Sequence, residues 1–200
     1  MTTHSIFPRL HAPIPTSVLL DVYEAAPSRI TQVISDLTDR DLWERARGAE
    51  RWSIAEIVCH LADSELIGAA RFRLLRTNPG GQLVTYEQDD FANLLRYRDR
   101  SRSDMDTALN AFSALRRSTG ALMRTWGPEE WECSGKHYEW GQVSLRQLLE
   151  LYADHGENHL DQIIDTRLRL SRTTVLGSIL SGRLGAQAPA VATSGTDGDA

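Results

Sequence analysis

Four segments of the chain repeat apolar residues every three or four positions, the spacing that puts them on one face of an α-helix. They are residues 17–37, 53–77, 103–126 and 144–170. Elsewhere apolar and polar residues do not alternate over any sustained stretch, so the pattern predicts no sheet. We therefore expect an all-α fold, a four-helix bundle with long connecting loops.

Three of these segments begin with side chains that can cap a helix. In each, a serine is followed three positions later by an acid or a glutamine, in the pairs Ser53–Glu56, Ser103–Asp106 and Ser144–Gln147. Such a pair forms a capping box, because each side chain accepts a hydrogen bond from a backbone N–H of the first turn. The first segment instead contains Pro27. Because a proline has no backbone N–H to donate, it predicts a kink or break in the helix.

The connections between the segments are long. Residues 36–52 predict a turn of helix followed by an extended stretch. Residues 78–100 start with a Pro-Gly-Gly break and predict a lid-like excursion with a short helix. Residues 127–143 are rich in aromatics and have no clear period. We expect an irregular arm over residues 1–15, the bundle over 16–172, and a flexible tail over 173–200.

Composition narrows the class of protein. Two hundred residues, 41% of them hydrophobic, suffice for one domain with a real core. The formal net charge of −5 argues against a nucleic-acid partner. No run of about 18 apolar residues predicts a membrane span, and the N-terminus has no signal pattern. Cys59 and Cys133 are too few for a disulfide framework, so we expect a cytoplasmic protein.

The most informative stretch is YADHGENHLDQI, residues 152–163. On a helical projection His155 and His159 fall within the apolar stripe, whereas Asp154, Glu157 and Asp161 fall on the opposite face. Two imidazoles four residues apart can converge on one point, and neutral imidazole is a common metal ligand. The alternative is a pair of core histidines satisfied by hydrogen bonds.

A third histidine strengthens the metal hypothesis. His60 lies at the border of the apolar stripe of the segment 53–77, in one row with Ser64 and Arg71. The position of Arg71 in that row indicates a polar pocket suited to an anion. The alternative, that His60 is only a residue at the boundary of the core, stays open. Structural zinc is closed by four protein ligands, so three histidines favour a catalytic metal. Three further histidines lie in arms or loops and are weaker candidates: His4, His11 and His137.

These residues also carry a family resemblance. The stretch WSIAEIVCHLADSE, at 52–65, followed by HYEWGQVSL, at 137–145, and then H-x-x-x-H, resembles the DinB-like superfamily of metal-binding four-helix bundles. The similarity is greatest to its YfiT-like branch, described as metal-dependent hydrolases and including bacillithiol S-transferases. It covers most of residues 17–170.

The resemblance implies roles for particular residues. It assigns the metal to His60, His155 and His159, one divalent transition metal per chain, with zinc or nickel expected. It places the family's aspartate, three residues after the first histidine ligand, on Asp63. We interpret this residue as a support for the metal ligands or as an interhelix hydrogen-bond partner. It also implies a homodimer. The interior of the histidine pair, residues 156–158, departs from the branch, where extra histidines are common.

Three functions remain open. The first is an enzyme that transfers a low-molecular-weight thiol to an electrophilic small molecule, because a metal stabilises the reactive thiolate. Arg71 would hold an anionic part of the thiol. Three aromatics could line its pocket or simply pack in the core: Trp52, Tyr86 and Trp140.

The second function is hydrolysis by metal-activated water. It needs a general base, for which the sequence offers Asp63 or Asp90. The third is a non-catalytic, stress-response metal-binding bundle, in which the histidines staple two helices together.

Overall fold

The computed structural model describes residues 14–46 and 52–171. Seven α-helices, a 3₁₀ turn and one hairpin lie in this part of the chain. In order they are α1 (Thr16–Ile34), α2 (Asp39–Trp43), α3 (Ile54–Thr77), α4 (Gln88–Leu94), the 3₁₀ turn (Tyr97–Asp99), α5 (Arg102–Met123), α6 (Pro128–Trp131), β1 (Ser134–His137), β2 (Gly141–Ser144) and α7 (Leu145–Arg169). The predicted tail, and the predicted arm up to residue 13, lie outside the described residues. None of the described helices is both long and apolar enough to cross a membrane.

The four predicted long helices are α1, α3, α5 and α7, and the all-α bundle is confirmed. Ser53 and Ser144 cap α3 and α7 through the expected capping boxes. The predicted cap at Ser103 is wrong by two residues. Ser101 accepts the N–H of Asp104 instead, and helix α5 begins at Arg102. Both serines fit the same sequence pattern, since Ser101 too is followed by an acid three positions later.

The expected break at Pro27 does not occur, and α1 runs through it from Thr16 to Ile34. A proline inside a helix leaves the carbonyl four residues earlier without its N–H donor. Here that carbonyl belongs to Tyr23, and it accepts a hydrogen bond from Arg116 Nη1 at 2.7 Å. An arginine of another helix therefore replaces the missing backbone donor.

The core consists of two apolar clusters, one toward each end of the bundle. The first combines the C-terminal halves of α1 and α7 with the N-terminal halves of α3 and α5. The second combines the opposite halves of the same helices, together with Trp131 and Val143. Helices α1 and α7 therefore run in one direction, and α3 and α5 in the other. The extensive contacts are α1 with α5 and α7, and α3 with α5 and α7, so α1 lies diagonally opposite α3.

This arrangement explains the long excursion between α3 and α5. Because the two helices point the same way, residues 78–101 must travel back along the bundle before α5 can start. Leu83, near their beginning, belongs to the second core cluster, and Tyr97, near their end, belongs to the first. The predicted short helix of the excursion is α4.

A small sheet, which the sequence pattern did not predict, lies between α6 and α7. Strands β1 and β2 pair antiparallel from Ser134 opposite Ser144 to His137 opposite Gly141. The excursion extends it, because Leu83 N–H donates to the Lys136 carbonyl at 2.8 Å. Strands of four residues are too short to show a recognisable alternation of apolar and polar residues in the sequence.

At the midpoint of the bundle, Arg116 of α5 contacts all three other long helices. Its side chain is fully buried, and its Nε donates to Glu65 Oε2 of α3 at 2.8 Å. Besides the Tyr23 carbonyl of α1, the guanidinium binds the Tyr152 carbonyl of α7 at 2.7 Å. Tyr23 OH donates to the other oxygen of Glu65. One buried cation of α5 is thus satisfied by the three other long helices.

Burial of Arg116 shifts the face that α5 turns to the core. In the sequence, the apolar residues of this segment that repeat at helical spacing are Met105, Leu109, Phe112, Leu115, Leu122 and Trp126. The buried face is instead Met105, Ala108, Phe112, Arg116, Thr119, Gly120 and Met123. Gly156 of α7 makes the close approach possible, because a Cβ there would lie 3.0 Å from Arg116 Nη1 and 2.9 Å from Ala26 Cβ.

We predict that Arg116→Met lowers the free energy of unfolding by about 3–5 kcal/mol, because Glu65 would stay buried without its partner. Denaturant unfolding measures this, and in a cycle with Glu65→Leu the double variant should lose less than the two single losses combined. Arg124→Met is the control, since Arg124 pairs with Asp21 and Glu24 at an exposed site. Its loss should stay within about 1 kcal/mol. Equal losses for the two arginines would contradict the central role of Arg116.

Candidate metal centre and adjoining cavity

The three predicted histidines meet between α3 and α7. His60 Nε2 and His159 Nε2 each lie 3.1 Å from His155 Nε2. Their ring centroids are 4.6–5.2 Å apart, and one ligand nitrogen from each ring lies within 4.8 Å of the others. His60 is buried, and the two histidines of α7 are half-buried.

The donor set fits a transition-metal ion. Imidazole nitrogens lie about 2.0–2.1 Å from zinc, so two of them on one ion are separated by roughly 3 Å. The distances from His155 Nε2 to the other two Nε2 atoms have this value. His159 Nδ1 lies 2.9 Å from Gln162 Oε1, an acceptor that fixes the proton on Nδ1. Its Nε2 lone pair is then directed at the other two rings. Such an outer hydrogen bond is typical of metal-binding histidines.

The electrostatics of the cluster keep the rings neutral. Burial, with a smaller contribution from His159, lowers the pKa of His60 to about 3. Burial likewise lowers the pKa of His159 to about 4, and it lowers the pKa of His155 well below its ordinary value, helped by the other two rings. Neutral imidazoles offer lone pairs, and a metal ligand must be unprotonated. Three neutral imidazoles, each with one ligand nitrogen near the same point, can together hold a cation.

The acids of α7 follow the predicted separation only in part. Asp161 is exposed, but Asp154 and Glu157 are half-buried. Glu157 forms an ion pair with Arg29 of α1, and Asp154 accepts a hydrogen bond from Asn158 at 2.7 Å. The expectation that all three face open solvent is therefore wrong for two of them. The carboxylates of Asp154 and Glu157 nevertheless bind neighbouring side chains and lie outside the histidine cluster.

A cavity of about 340 Å³ reaches the cluster at His155. The bundle supplies its floor, the excursion one wall and the β hairpin the other. Its lining residues are Ser64, Arg71, Tyr86, Glu87, Gln88, His137, Tyr138, Glu139, Trp140, Leu151, Tyr152 and His155. The metal centre thus opens onto a space suited to a small molecule.

Arg71 is buried in the wall of this cavity, 4% exposed. Its Nε donates to the Val84 carbonyl at 2.7 Å, and its Nη1 donates to Tyr152 OH at 3.1 Å. A purely structural role for Arg71 would be an ion pair with an acid of the excursion such as Asp90, but the two make no ion pair within the described ranges. A carbonyl and a hydroxyl therefore orient a guanidinium whose charge no carboxylate of this part of the chain neutralises.

The three predicted aromatics divide between the cavity and the core. Tyr86 and Trp140 line the cavity. Trp52 does not line it, and instead packs on the His60 ring with centroids 4.7 Å apart and against the first core cluster. Its role is to hold the ligand ring rather than to contact a molecule in this cavity.

Asp63 lies away from the cavity. It accepts a hydrogen bond from Tyr97 OH at 2.7 Å, and Arg100 Nη2 lies 4.0 Å away. It therefore ties α3 to the 3₁₀ turn. This position agrees with an interhelix partner and gives no support to Asp63 as a catalytic base, because it is not among the groups close to the three rings.

Two of the cavity residues that sequence reasoning missed are Tyr152 and His137. Tyr152 fits the apolar stripe of α7 by its spacing, yet its hydroxyl supports Arg71. Gly68 makes room for it, since a Cβ at that position would overlap the Tyr152 ring. His137 was treated as a loop residue, although it is 5% exposed and belongs to the H-x-E-x-G stretch, the signal that could have identified it.

Comparison with known proteins places these features in a family. The model of the DinB superfamily matches residues 23–163. A protein of Oceanobacillus iheyensis named "Putative metal-dependent hydrolase OB0782" is 27% identical over 140 residues, 70% of this chain and 78% of that protein. A "Putative metal-dependent hydrolase" of Bacillus cereus is 28% identical over 148 residues, covering 74% and 83% respectively.

A solved structure has the same fold. YfiT from Bacillus subtilis, described as a probable metal-dependent hydrolase with an unusual four-helix bundle topology, superposes with a TM-score of 0.74 at 23% identity. The match covers 84% of this chain and 94% of that one. The family model begins within α1 and ends within α7, so it includes part or all of each long helix and all three histidines of the cluster. The chain therefore belongs to the DinB superfamily.

Proposed function

We propose that the protein is a metal-dependent enzyme that transfers a low-molecular-weight thiol to an electrophilic small molecule. One observation carries the proposal: a cluster of three neutral imidazoles shares its cavity with a buried arginine, and among the described residues no carboxylate joins the cluster. With a metal ion bound to the imidazoles, such a site would attract an anion from two sides. A thiolate with a charged tail satisfies both attractions.

His60, His155 and His159 would hold the metal, and with three protein ligands a further coordination position stays available. A bound divalent cation, zinc or nickel in our proposal, would favour the thiolate over the thiol and so supply the nucleophile at neutral pH. The protein's own contribution is to orient the rings. Gln162 fixes the tautomer of His159, and Trp52 packs on His60.

Arg71 would hold the anionic part of the thiol compound. Its Nε and Nη1 are fixed by Val84 and Tyr152, which leaves Nη2 available to a molecule in the cavity that Arg71 lines. A preoriented guanidinium loses little freedom when it binds an anion, so the contact contributes to affinity. Tyr86 and Trp140 would enclose the remainder of the molecule.

Hydrolysis by metal-activated water is the second candidate, favoured by the names of the similar proteins. It needs a general base within reach of the attacking water. The acids that line the cavity are Glu87 and Glu139, and both are exposed at its rim. Asp90 is exposed on α4, and Asp63 lies beside Tyr97. The described residues thus provide the anion sites for thiol transfer more fully than a base for hydrolysis.

We predict that the purified protein holds about one transition-metal ion per chain and that replacing His60, His155 or His159 with alanine reduces this content. Replacing two of them should abolish it. Elemental analysis of protein purified without an affinity tag measures both effects. The matched control is Glu157→Gln, on the same helix between two of the ligands.

In that control the metal content should be unchanged, because Glu157 pairs with Arg29 rather than with the cluster. A double histidine variant that keeps the wild-type metal content would exclude the assigned centre. A marked loss of metal from Glu157→Gln would mean that the acid takes part in it.

For Arg71→Ala we predict a KM for the thiol substrate raised about tenfold or more, since a charge-assisted hydrogen bond contributes about 1.5–3 kcal/mol. Metal content should stay intact. Arg71→Lys should recover only part of the effect, because lysine lacks the planar fork. Kinetic assays and melting temperatures are measured on the same variants. A lower melting temperature with an unchanged KM would assign Arg71 a structural role alone.

A further inference from the structure

His137 is a buried imidazole in the cavity that the proposed chemistry does not use. It ends strand β1 and is 5% exposed. Its ring stacks on Trp140, with centroids 3.7 Å apart and planes inclined by 9°. It lines the same cavity as Arg71 and His155. The hairpin therefore presents a fixed ring to whatever the cavity binds.

The backbone determines which nitrogen of His137 carries the proton. The N–H of Glu139 donates to His137 Nδ1 at 3.3 Å, so Nδ1 acts as an acceptor. In a neutral ring the proton then lies on Nε2. Burial and the charge of Arg71 lower the pKa of His137, in keeping with a neutral ring at physiological pH.

His137 Nε2–H is a hydrogen-bond donor with an open position. Among the described residues no group pairs with it. Some described side-chain atoms are both unpaired and inaccessible to solvent, and His137 Nε2 is not one of them. Since His137 lines the cavity, a ligand bound there would lie next to this ring.

Arg71 Nη2 is a second donor with an open position. The other two nitrogens of this guanidinium bind Val84 and Tyr152, whereas Nη2 has no partner within the described part of the chain. Trp140 contacts both donor groups, because the Arg71 guanidinium carbon lies 5.8 Å from the centroid of its ring. Arg71 Nη2 and His137 Nε2 thus offer only donors to one cavity.

We propose that Arg71 and His137 form a carboxylate-binding subsite, which holds the charged end of the substrate while its reacting atom lies toward His155. The subsite rests on the proposed function in one respect only, namely that the reacting atom is a thiol sulfur. A carboxylate accepts at both oxygens and carries one negative charge. It matches one guanidinium and one neutral N–H donor better than a phosphate dianion does.

The acids at the rim leave these donors available. Glu87 accepts a hydrogen bond from Tyr138 OH at 2.9 Å, which joins the excursion to the hairpin. Glu139 contributes its backbone N–H to His137 and makes no ion pair with Arg71 among the described residues. Both side chains are exposed. The deep wall of the cavity therefore attracts anions, although its mouth is acidic.

The experiment compares three small probes on the protein purified with its own metal: 3-mercaptopropionate, 3-mercapto-1-propanol and propionate. The first two differ only in the carboxylate, and propionate lacks the thiol. Dissociation constants come from ligand-observed NMR titrations. Each is measured for the wild type, Arg71→Ala, His137→Phe, His137→Gln and the control Arg73→Ala. Arg73 lies on the same helix but binds Thr119 and Ser118.

In the wild type 3-mercaptopropionate should bind at least tenfold more tightly than 3-mercapto-1-propanol. His137→Phe keeps an aromatic ring to stack on Trp140 but removes the donor, and it should reduce this ratio several-fold. His137→Gln should restore part of it, because its amide N–H can replace Nε2–H. Arg71→Ala should reduce the ratio most, and Arg73→Ala should leave it unchanged.

A wild-type ratio near one would overturn the subsite, and so would a ratio that His137→Phe leaves unchanged. The second result would mean that the carboxylate binds elsewhere, for example at the metal. The two proposals fail separately. If 3-mercaptopropionate binds no more tightly than propionate, yet propionate binding still depends on Arg71 and His137, the thiol function is wrong and the subsite stands.

Discussion

The buried guanidinium of Arg116 is the interaction on which the arrangement of the four helices depends. It binds a carboxylate of α3 and a backbone carbonyl in each of α1 and α7, and it belongs itself to α5. Any shift of one helix would leave a buried charge or carbonyl unpaired, and such a loss is costly. The carbonyl it binds in α7 is that of Tyr152, whose hydroxyl orients Arg71 and which lies one turn before His155. The same cation that joins the bundle therefore fixes the helix that supplies two of the three imidazoles.

Helix direction then creates the cavity. Since α3 and α5 run the same way, the excursion has to cross the bundle, and on its way it passes the open side of the histidine cluster. It supplies the Val84 carbonyl that orients Arg71 and the Tyr86 ring of the cavity wall. The hairpin before α7 closes the other side with His137 and Trp140. The connections that have no clear period in the sequence thus build the cavity, whereas the regular helices build the histidine cluster.

The parts that could be predicted from the sequence are those that depend on local periodicity. The spacing of His155 and His159, and the row of His60 and Arg71, follow from the geometry of single helices. Periodicity assumes that buried residues are apolar, so it failed at Arg116, whose burial depends on partners from three other helices. It also failed at Pro27, since the compensating donor is 89 residues away in the chain, and at His137, since only the folded hairpin brings it to the cavity. Those contacts are non-local, and no single window of sequence contains them.

The central claim is that three imidazoles bind a metal whose remaining position accepts a thiolate. X-ray absorption spectroscopy at the edge of the bound metal tests both halves of it, on protein purified with that metal, before and after addition of 3-mercaptopropionate. The account predicts about three imidazole nitrogens at roughly 2.0–2.1 Å without the thiol, and one added sulfur at about 2.3 Å with it if the metal is zinc. A shell that contains sulfur before any thiol is added, or one that stays free of sulfur at saturating thiol, would contradict the account.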